Sequence, residues 1–288
     1  MWIERLQHFT YIFDWAHQTW ERPRTQRFVA LLIFWIYVIS LVGIELNRQM
    51  LFPPWLAALT PRSHFAAIQL AFTLIMGLEV MGLIFSISSS ISRSVGKQFE
   101  ILTLILLRNA FKELSMLSEP VSVSDNLQPI LYIGLSGFGA LCVFACLCVY
   151  MRMRMLQPQR FIQKPEMRMH YVISKKLLSL TLFVIFFGFG VRDSWMFFHG
   201  AVTHHFFETI YTVLIFADIA LVLIAQRFMP SFQAVFRNSG FVIGTLLMRL
   251  ALSAEPPWDT TISVSAALYV LSLTWVSNYF AGLTAPVK

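Results

Sequence analysis

The stretch FTLIMGLEVMGLIFSI, residues 72–87, places one acid, Glu79, near the middle of an apolar run. The next apolar run, residues 99–117, reads FEILTLILLRNAFKELSML and carries Arg108 near its middle. If the two runs cross a bilayer in succession, an acid and an arginine reach similar depths, where an ionised group is costly. We therefore predict that Glu79 and Arg108 meet inside a membrane.

The second half of the chain contains a similar arrangement. Asp218 lies in the apolar run 212–225, and Arg249 lies in the run 241–252. In each half a threonine precedes the acid by six residues, and a Glu-Pro pair follows the arginine run: Thr73 and Thr212, then Glu119-Pro120 and Glu255-Pro256. These matches predict two parallel repeats related by an axis along the membrane normal. Chance resemblance among apolar helices is the alternative.

The composition indicates a polytopic membrane protein. The chain has 288 residues, of which 57% are hydrophobic and only 13% charged, too little polar surface to cover a soluble globule. At roughly twenty residues per span, the apolar runs predict an all-α bundle of about eight transmembrane helices, four in each of the repeats 28–151 and 176–288. The predicted helices are 28–47, 65–88, 98–117, 129–151, 176–192, 206–226, 238–254 and 262–283.

The basic residues predict the topology. The 22 basic and 15 acidic residues give a net charge of +7, but the basic ones lie mostly between apolar runs, so we expect no nucleic-acid partner. An excess of Lys and Arg marks cytoplasmic connections, which places both termini in the cytoplasm, in a plasma or inner membrane. The central connection, 152–175, is expected to contact anionic lipid headgroups or an acidic partner through Arg152, Arg154, Arg160, Lys164 and Arg168.

Residues 1–27 precede the first predicted span. Aromatic and apolar residues recur there at steps of three and four, with charged and amide residues between them. This pattern is typical of an amphipathic helix lying in the membrane interface. We expect Trp2, Phe9 and Phe13 to contact lipid, or alternatively a partner protein or a second copy of the chain.

A polar stripe is predicted on the third helix. Lys97, Glu100, Arg108 and Lys112 recur there at multiples of three or four residues, and such a stripe cannot face lipid. Glu100 and Arg108 would lie about 12 Å apart along the axis, so each needs another partner, and Glu79 suits Arg108. The buried charges have two interpretations: ion pairs that fix helix packing, or a proton or ion path through a water-filled crevice.

Residues 72–111 resemble the second and third helices of the voltage-sensor domains of voltage-gated cation channels. The resemblance consists of an acid within an apolar helix, a short basic connection, and the pair Phe99-Glu100 at the start of the next helix. It implies that Glu79 and Glu100 act as countercharges. Because the run 130–150 has no arginine ladder, the resemblance implies a sensor-like four-helix module without gating charge or pore.

Other kinds of site receive little support. His64, His199, His204 and His205 are expected on the non-cytoplasmic side, where they are weak candidates for zinc or copper ligands. We predict no cofactor, and no pattern typical of an enzyme is present. The sequence favours ion or proton movement, within a larger membrane assembly. The alternative is a non-conducting subunit that stabilises or recruits partners.

Overall fold

The computed structural model describes residues 2–51, 53, 60–61, 63–89, 91–114, 127–155, 165–198, 206–229 and 231–283. Within these ranges the regular structure is entirely helical. Its nine helices are α1 (Trp2–Glu21), α2 (Pro23–Arg48), α3 (Phe65–Ser86), α4 (Ile91–Leu114), α5 (Leu127–Met155), α6 (Pro165–Phe198), α7 (Phe206–Phe228), α8 (Phe232–Ser253) and α9 (Trp258–Leu283).

Seven of these helices are long and apolar enough to cross a membrane: α2, α3, α5, α6, α7, α8 and α9. Their length matches the hydrocarbon thickness of a bilayer, so the protein is an integral membrane protein with a helical bundle. The prediction of an all-α membrane bundle is confirmed at this level. We predict about eight spans, whereas seven of the described helices are candidate spans, because the helix α4 is too polar to count as a membrane-spanning segment.

Helix α4 nevertheless lies inside the bundle. It packs against α3, α5 and α8, and Phe99, Leu102 and Ile105 on it are buried. It also begins earlier than predicted, at Ile91 rather than near residue 98, since Ile91 and the residues that follow join the same core. A helix surrounded by other helices can carry polar residues that a helix facing lipid cannot.

Contacts between the helices define two ends of the bundle. At one end, which we call the first end, α3 and α7 begin, and Asn109 near the end of α4 donates a 3.0 Å hydrogen bond to Asp259 at the start of α9. At the opposite, second end, α4 begins and α5 ends, where Ser92 and the Tyr150 hydroxyl lie 3.0 Å apart. Helix α2 begins and α9 ends at the second end. The side of the membrane on which each end lies stays a prediction.

Glycines allow the closest helix contacts. A Cβ atom added to Gly139 on α5 would collide with the Thr260 side chain on α9, and one added to Gly244 on α8 would collide with Val270 on α9. Helix α5 packs on α9, and α4 packs on α8. Each of these contacts joins a helix of the first predicted repeat to its counterpart in the second. The duplication itself, and the division into residues 28–151 and 176–288, stay predictions.

Helix α1 packs on the bundle through aromatic residues. Phe13 is only 2% exposed and its ring lies against His17 and Phe85. The prediction that Phe13 contacts lipid or a partner was therefore wrong, because this face of α1 is covered by the chain's own helices. The side chains of Trp2 and Phe9 lie outside the described residues, and the interfacial position of α1 stays a prediction.

The central connection is shorter than predicted. Helix α5 continues to Met155 and α6 begins at Pro165. Lys175, which we placed in the connection, is 3% exposed and donates a hydrogen bond to the Ser89 carbonyl oxygen. Arg152 is exposed and Arg154 is half-buried; Arg160, Lys164 and the Arg168 side chain lie outside the described residues.

Candidate functional site

The first of two buried acid–arginine pairs joins α7 to α8. Arg249 Nε and Nη2 donate hydrogen bonds of 2.8 and 3.1 Å to the two carboxylate oxygens of Asp218. The Thr245 hydroxyl donates a third, of 3.0 Å, to the same carboxylate. The two charged side chains are 2% and 5% exposed. We call this arrangement the closed pair, because both carboxylate oxygens have hydrogen-bond donors.

The second pair joins α3 to α4 and is looser. Arg108 Nη1 lies 3.7 Å from Glu79 Oε2, and the side chains are 11% and 10% exposed. Neither of these two atoms has a hydrogen-bond partner among the described residues. A buried charge without complete hydrogen bonding is costly. We call this arrangement the open pair, since each partner keeps capacity for another group.

Tyr211 on α7 belongs to the same region of the bundle as the two pairs. The residue is 4% exposed and lies within electrostatic range of Arg108, Glu79 and Arg249. That hydroxyl has no hydrogen-bond partner in the part of the chain that the structure describes. Sequence reasoning missed Tyr211, because a tyrosine near the start of an apolar helix reads as an ordinary interfacial aromatic. Its place beside three charged groups depends on packing between α3, α4, α7 and α8.

A cavity of about 470 Å³, here called the polar cavity, lies at the first end of the bundle. Arg108 and Tyr211 line it from α4 and α7. The wall also contains the polar residues Gln69, Thr73, Asn109, Lys112, Glu113, Glu208, Ser253 and Glu255. One partner of the open pair, Arg108, therefore lines a cavity at the first end whose wall combines these polar residues with apolar ones.

A second cavity, of about 400 Å³ and here called the apolar groove, lies on the other side of the open pair. Glu79 lines it, together with Lys97 and Trp20, which lie toward the second end. Most of its other lining residues are aliphatic: Val29, Ala30, Ile33, Ile75, Leu78, Ile101 and Leu104. Arg108 thus borders the polar cavity while Glu79 borders the apolar groove, and the open pair separates the two.

The remaining residues of the predicted polar stripe do not join the open pair. Glu100 accepts a 2.7 Å hydrogen bond from Lys97, its neighbour one turn earlier on α4. Both side chains are more than a third exposed, so the prediction of Glu100 as part of a buried set was wrong. Lys112 is exposed and lines the polar cavity.

The predicted metal ligands are not brought together in the described part of the chain. His64 lies 3.2 Å from Glu45 and 3.1 Å from Arg48, so its ring joins an exposed polar cluster with α2. Among the described residues no group of three or more His, Cys, Asp or Glu side chains could hold a metal ion. His199, His204 and His205 lie outside the described residues.

The function of the two pairs is interpreted from their geometry. Comparison of the chain with protein-family models, with curated proteins and with solved structures finds no match.

Proposed function

We propose that the protein moves protons or small ions across the membrane, within a larger membrane assembly, and that the open pair is the site through which they pass. One observation carries this proposal. Glu79 and Arg108 are 3.7 Å apart and about nine-tenths buried, yet Glu79 borders the apolar groove and Arg108 borders the polar cavity. A charged pair that separates two cavities is suited to gating or relay.

The open and closed pairs are suited to different roles. Three hydrogen bonds fix the Asp218 carboxylate, so moving a proton or ion through the closed pair would break several favourable contacts at once. Glu79 Oε2 has no hydrogen bond among the described residues, so fewer favourable contacts have to break before a proton or cation binds to that oxygen. Acids that lie inside a membrane bundle and do not face lipid are typical of proton and ion pathways.

Flux in liposomes tests the proposal. The purified protein is reconstituted into vesicles that contain a pH-sensitive dye, and a membrane potential is imposed with potassium and valinomycin. We expect Glu79→Gln to abolish the flux seen with the wild-type protein. Glu100→Gln is the matched control, because Glu100 lies on α4 but pairs with Lys97 and lines neither cavity. Unchanged flux in a folded Glu79→Gln protein would contradict the proposal.

A second function is a non-conducting subunit that recruits partners, and one feature of α1 favours it. While Phe13 is buried against the bundle, Tyr11 and Trp15 on the same helix are 73% and 64% exposed. Exposed aromatic residues of this kind often contact partner proteins or membrane interfaces. Purification of a Tyr11→Ser/Trp15→Ser variant in mild detergent distinguishes the two functions. A non-conducting recruiting subunit would lose a copurifying chain in this variant, and the reconstituted wild-type protein would show no flux.

A further inference from the structure

The apolar groove runs from the second end of the bundle into the membrane. Its lining extends from Lys97 to Leu104 on α4 and from Thr25 to Ile33 on α2, which is about 10 Å and about 12 Å along the two helix axes. One leaflet contributes about 15 Å to the hydrocarbon thickness of a bilayer. The groove therefore crosses most of the leaflet at the second end, in the direction of its acyl chains.

The aliphatic part of the groove is open to lipid. Leu104 on α4 is 52% exposed, and Ala30 on the facing helix α2 is also exposed. Both residues line the groove, and α2 is itself a candidate span, so the surroundings at this depth are acyl chains. Because apolar surface associates with apolar surface, the wall suits a lipid chain.

The end of the groove that lies toward the second end is polar. Lys97 lines it there, and its side chain is 49% exposed. Its ammonium group donates one hydrogen bond to Glu100, but an ammonium has three donors, so two stay available to another acceptor. Trp20 also lines this end, and tryptophan is enriched at the headgroup level of membranes.

Basic residues dominate around this polar end. Thr25 and Gln26 line the groove at the start of α2. Three exposed arginines flank them in the sequence: Arg22, Arg24 and Arg27. The described acids nearest in sequence to the polar lining are Glu21 and Glu100, so basic side chains outnumber acidic ones here. Such a charge balance favours an anionic headgroup over a zwitterionic one.

We propose that the apolar groove binds an anionic phospholipid of the leaflet at the second end, with one acyl chain along the aliphatic wall and the phosphate beside Lys97. Glu79 also lines the groove, so the bound chain covers this acid on the groove side and leaves no room there for water. The lipid therefore regulates the open pair and lowers flux when it is bound. This regulation rests on the proposed function, whereas the binding of the lipid does not.

Photo-crosslinking tests the binding. The protein is reconstituted into phosphatidylcholine vesicles with a trace of phosphatidylglycerol or phosphatidylcholine that carries a diazirine on one acyl chain, and labelled residues are mapped by mass spectrometry. We expect the phosphatidylglycerol probe to label Leu104 more than the phosphatidylcholine probe does. Both probes should label Phe138 equally, because Phe138 is exposed on α5 and does not line the groove.

Two pairs of variants locate the lipid. Lys97→Gln should reduce labelling of Leu104 by phosphatidylglycerol about fivefold, the contribution of one basic residue near the membrane surface. Arg227→Gln, at an exposed position on α7, is its matched control and should label as the wild type does. Ala30→Trp fills the groove and should abolish labelling of Leu104 by both probes. Leu31→Trp, at an exposed position that does not line the groove, should not.

Three results would overturn the lipid site. Labelling of Phe138 without labelling of Leu104 would show that the groove is closed or filled by a protein segment. Equal labelling of Leu104 by the two probes, or labelling that Lys97→Gln leaves unchanged, would show only the general contact of a membrane protein with surrounding lipid.

Flux tests the regulation. Adding phosphatidylglycerol to phosphatidylcholine vesicles should lower the flux of the wild type and of Arg227→Gln but leave that of Lys97→Gln nearly unchanged, although all three experience the same surface charge. Equal inhibition of Lys97→Gln would overturn the regulation. If the wild type shows no flux in phosphatidylcholine but phosphatidylglycerol labels the groove selectively, the path is wrong and the lipid site stands. If the protein conducts but neither probe labels Leu104, the lipid site is wrong and the path stands.

Discussion

Arg249 donates two hydrogen bonds to Asp218 across the interface of α7 and α8, from Nε at 2.8 Å and from Nη2 at 3.1 Å. The geometry is bidentate, the arrangement in which arginine and carboxylate bind each other most strongly. Because both side chains are almost fully buried, neither can exchange this partner for water. The closed pair therefore holds the two helices together.

Removing one charge of the closed pair should destabilise the protein strongly. Asp218→Asn leaves the Arg249 guanidinium buried without its counter-ion, which costs about 3–5 kcal/mol. Denaturant unfolding in mild detergent measures the loss. Thr245→Val, which removes only the hydroxyl that donates to Asp218, should cost about 1 kcal/mol. Equal losses of stability for Asp218→Asn and Thr245→Val would contradict the conclusion that the charge of Asp218 contributes more to stability than the hydrogen bond from Thr245.

The two pairs should differ in coupling energy. A double-mutant cycle with Asp218→Asn and Arg249→Gln should give a coupling of about 2–3 kcal/mol, because the partners share two buried hydrogen bonds. The same cycle with Glu79→Gln and Arg108→Gln should give a smaller value, since these partners share no hydrogen bond. Denaturant unfolding of the four single and two double variants measures both coupling energies. A larger coupling energy in the open pair than in the closed pair would contradict the assignment of the open pair as the weaker interaction.

Packing of α5 on α9 should depend on one glycine. Gly139→Ala places a methyl group against the Thr260 side chain, and overpacking of this kind costs about 1–3 kcal/mol. Gly137→Ala, two residues earlier on the same helix, has nothing within 4 Å of the new methyl group and should leave stability unchanged or raise it by up to about 1 kcal/mol. Thermal unfolding of the two variants in one detergent makes the comparison.

The ion pair between α1 and α6 should contribute little to stability but should restrain α1. Lys176 Nζ donates a 2.7 Å hydrogen bond to Asp14, and both side chains are partly exposed, so the pair is worth about 0.2–1 kcal/mol. Asp14→Asn should increase amide hydrogen exchange in α1 while exchange in α8 stays unchanged. Salt should produce a similar increase in the wild type. Faster exchange throughout the bundle would contradict a local role.

The helical membrane class could be predicted from the sequence because long apolar runs are a strong signal. The positions of the charges in the apolar runs also indicated which acid would lie near which arginine, because two groups on successive helices can meet only if they lie at similar depth in the membrane. The difference between the two pairs could not be predicted. It depends on a few ångströms of helix position, which decide whether Arg249 reaches Asp218 with two hydrogen bonds while Arg108 stops at 3.7 Å from Glu79.

Burial of individual polar residues was the least predictable feature. Lys175 was assigned to a connection because it follows a basic segment, but the extension of α6 to Pro165 carries it into the bundle. Glu100 was assigned to the interior from the periodicity of α4, yet Lys97 on the same face provides a local partner near the helix start. Periodicity gives the face of a helix, and the neighbouring helices decide what covers it.

Helix α4 has a consequence for how the chain is assembled during synthesis. Its composition falls short of that of a spanning segment, so partitioning from the translocon into lipid by itself brings little gain. The neighbours α3 and α5, which pack on it in the finished protein, supply the environment that its charged residues require. We therefore expect the segment that carries Arg108 to insert cooperatively, together with the hydrophobic helix that follows it.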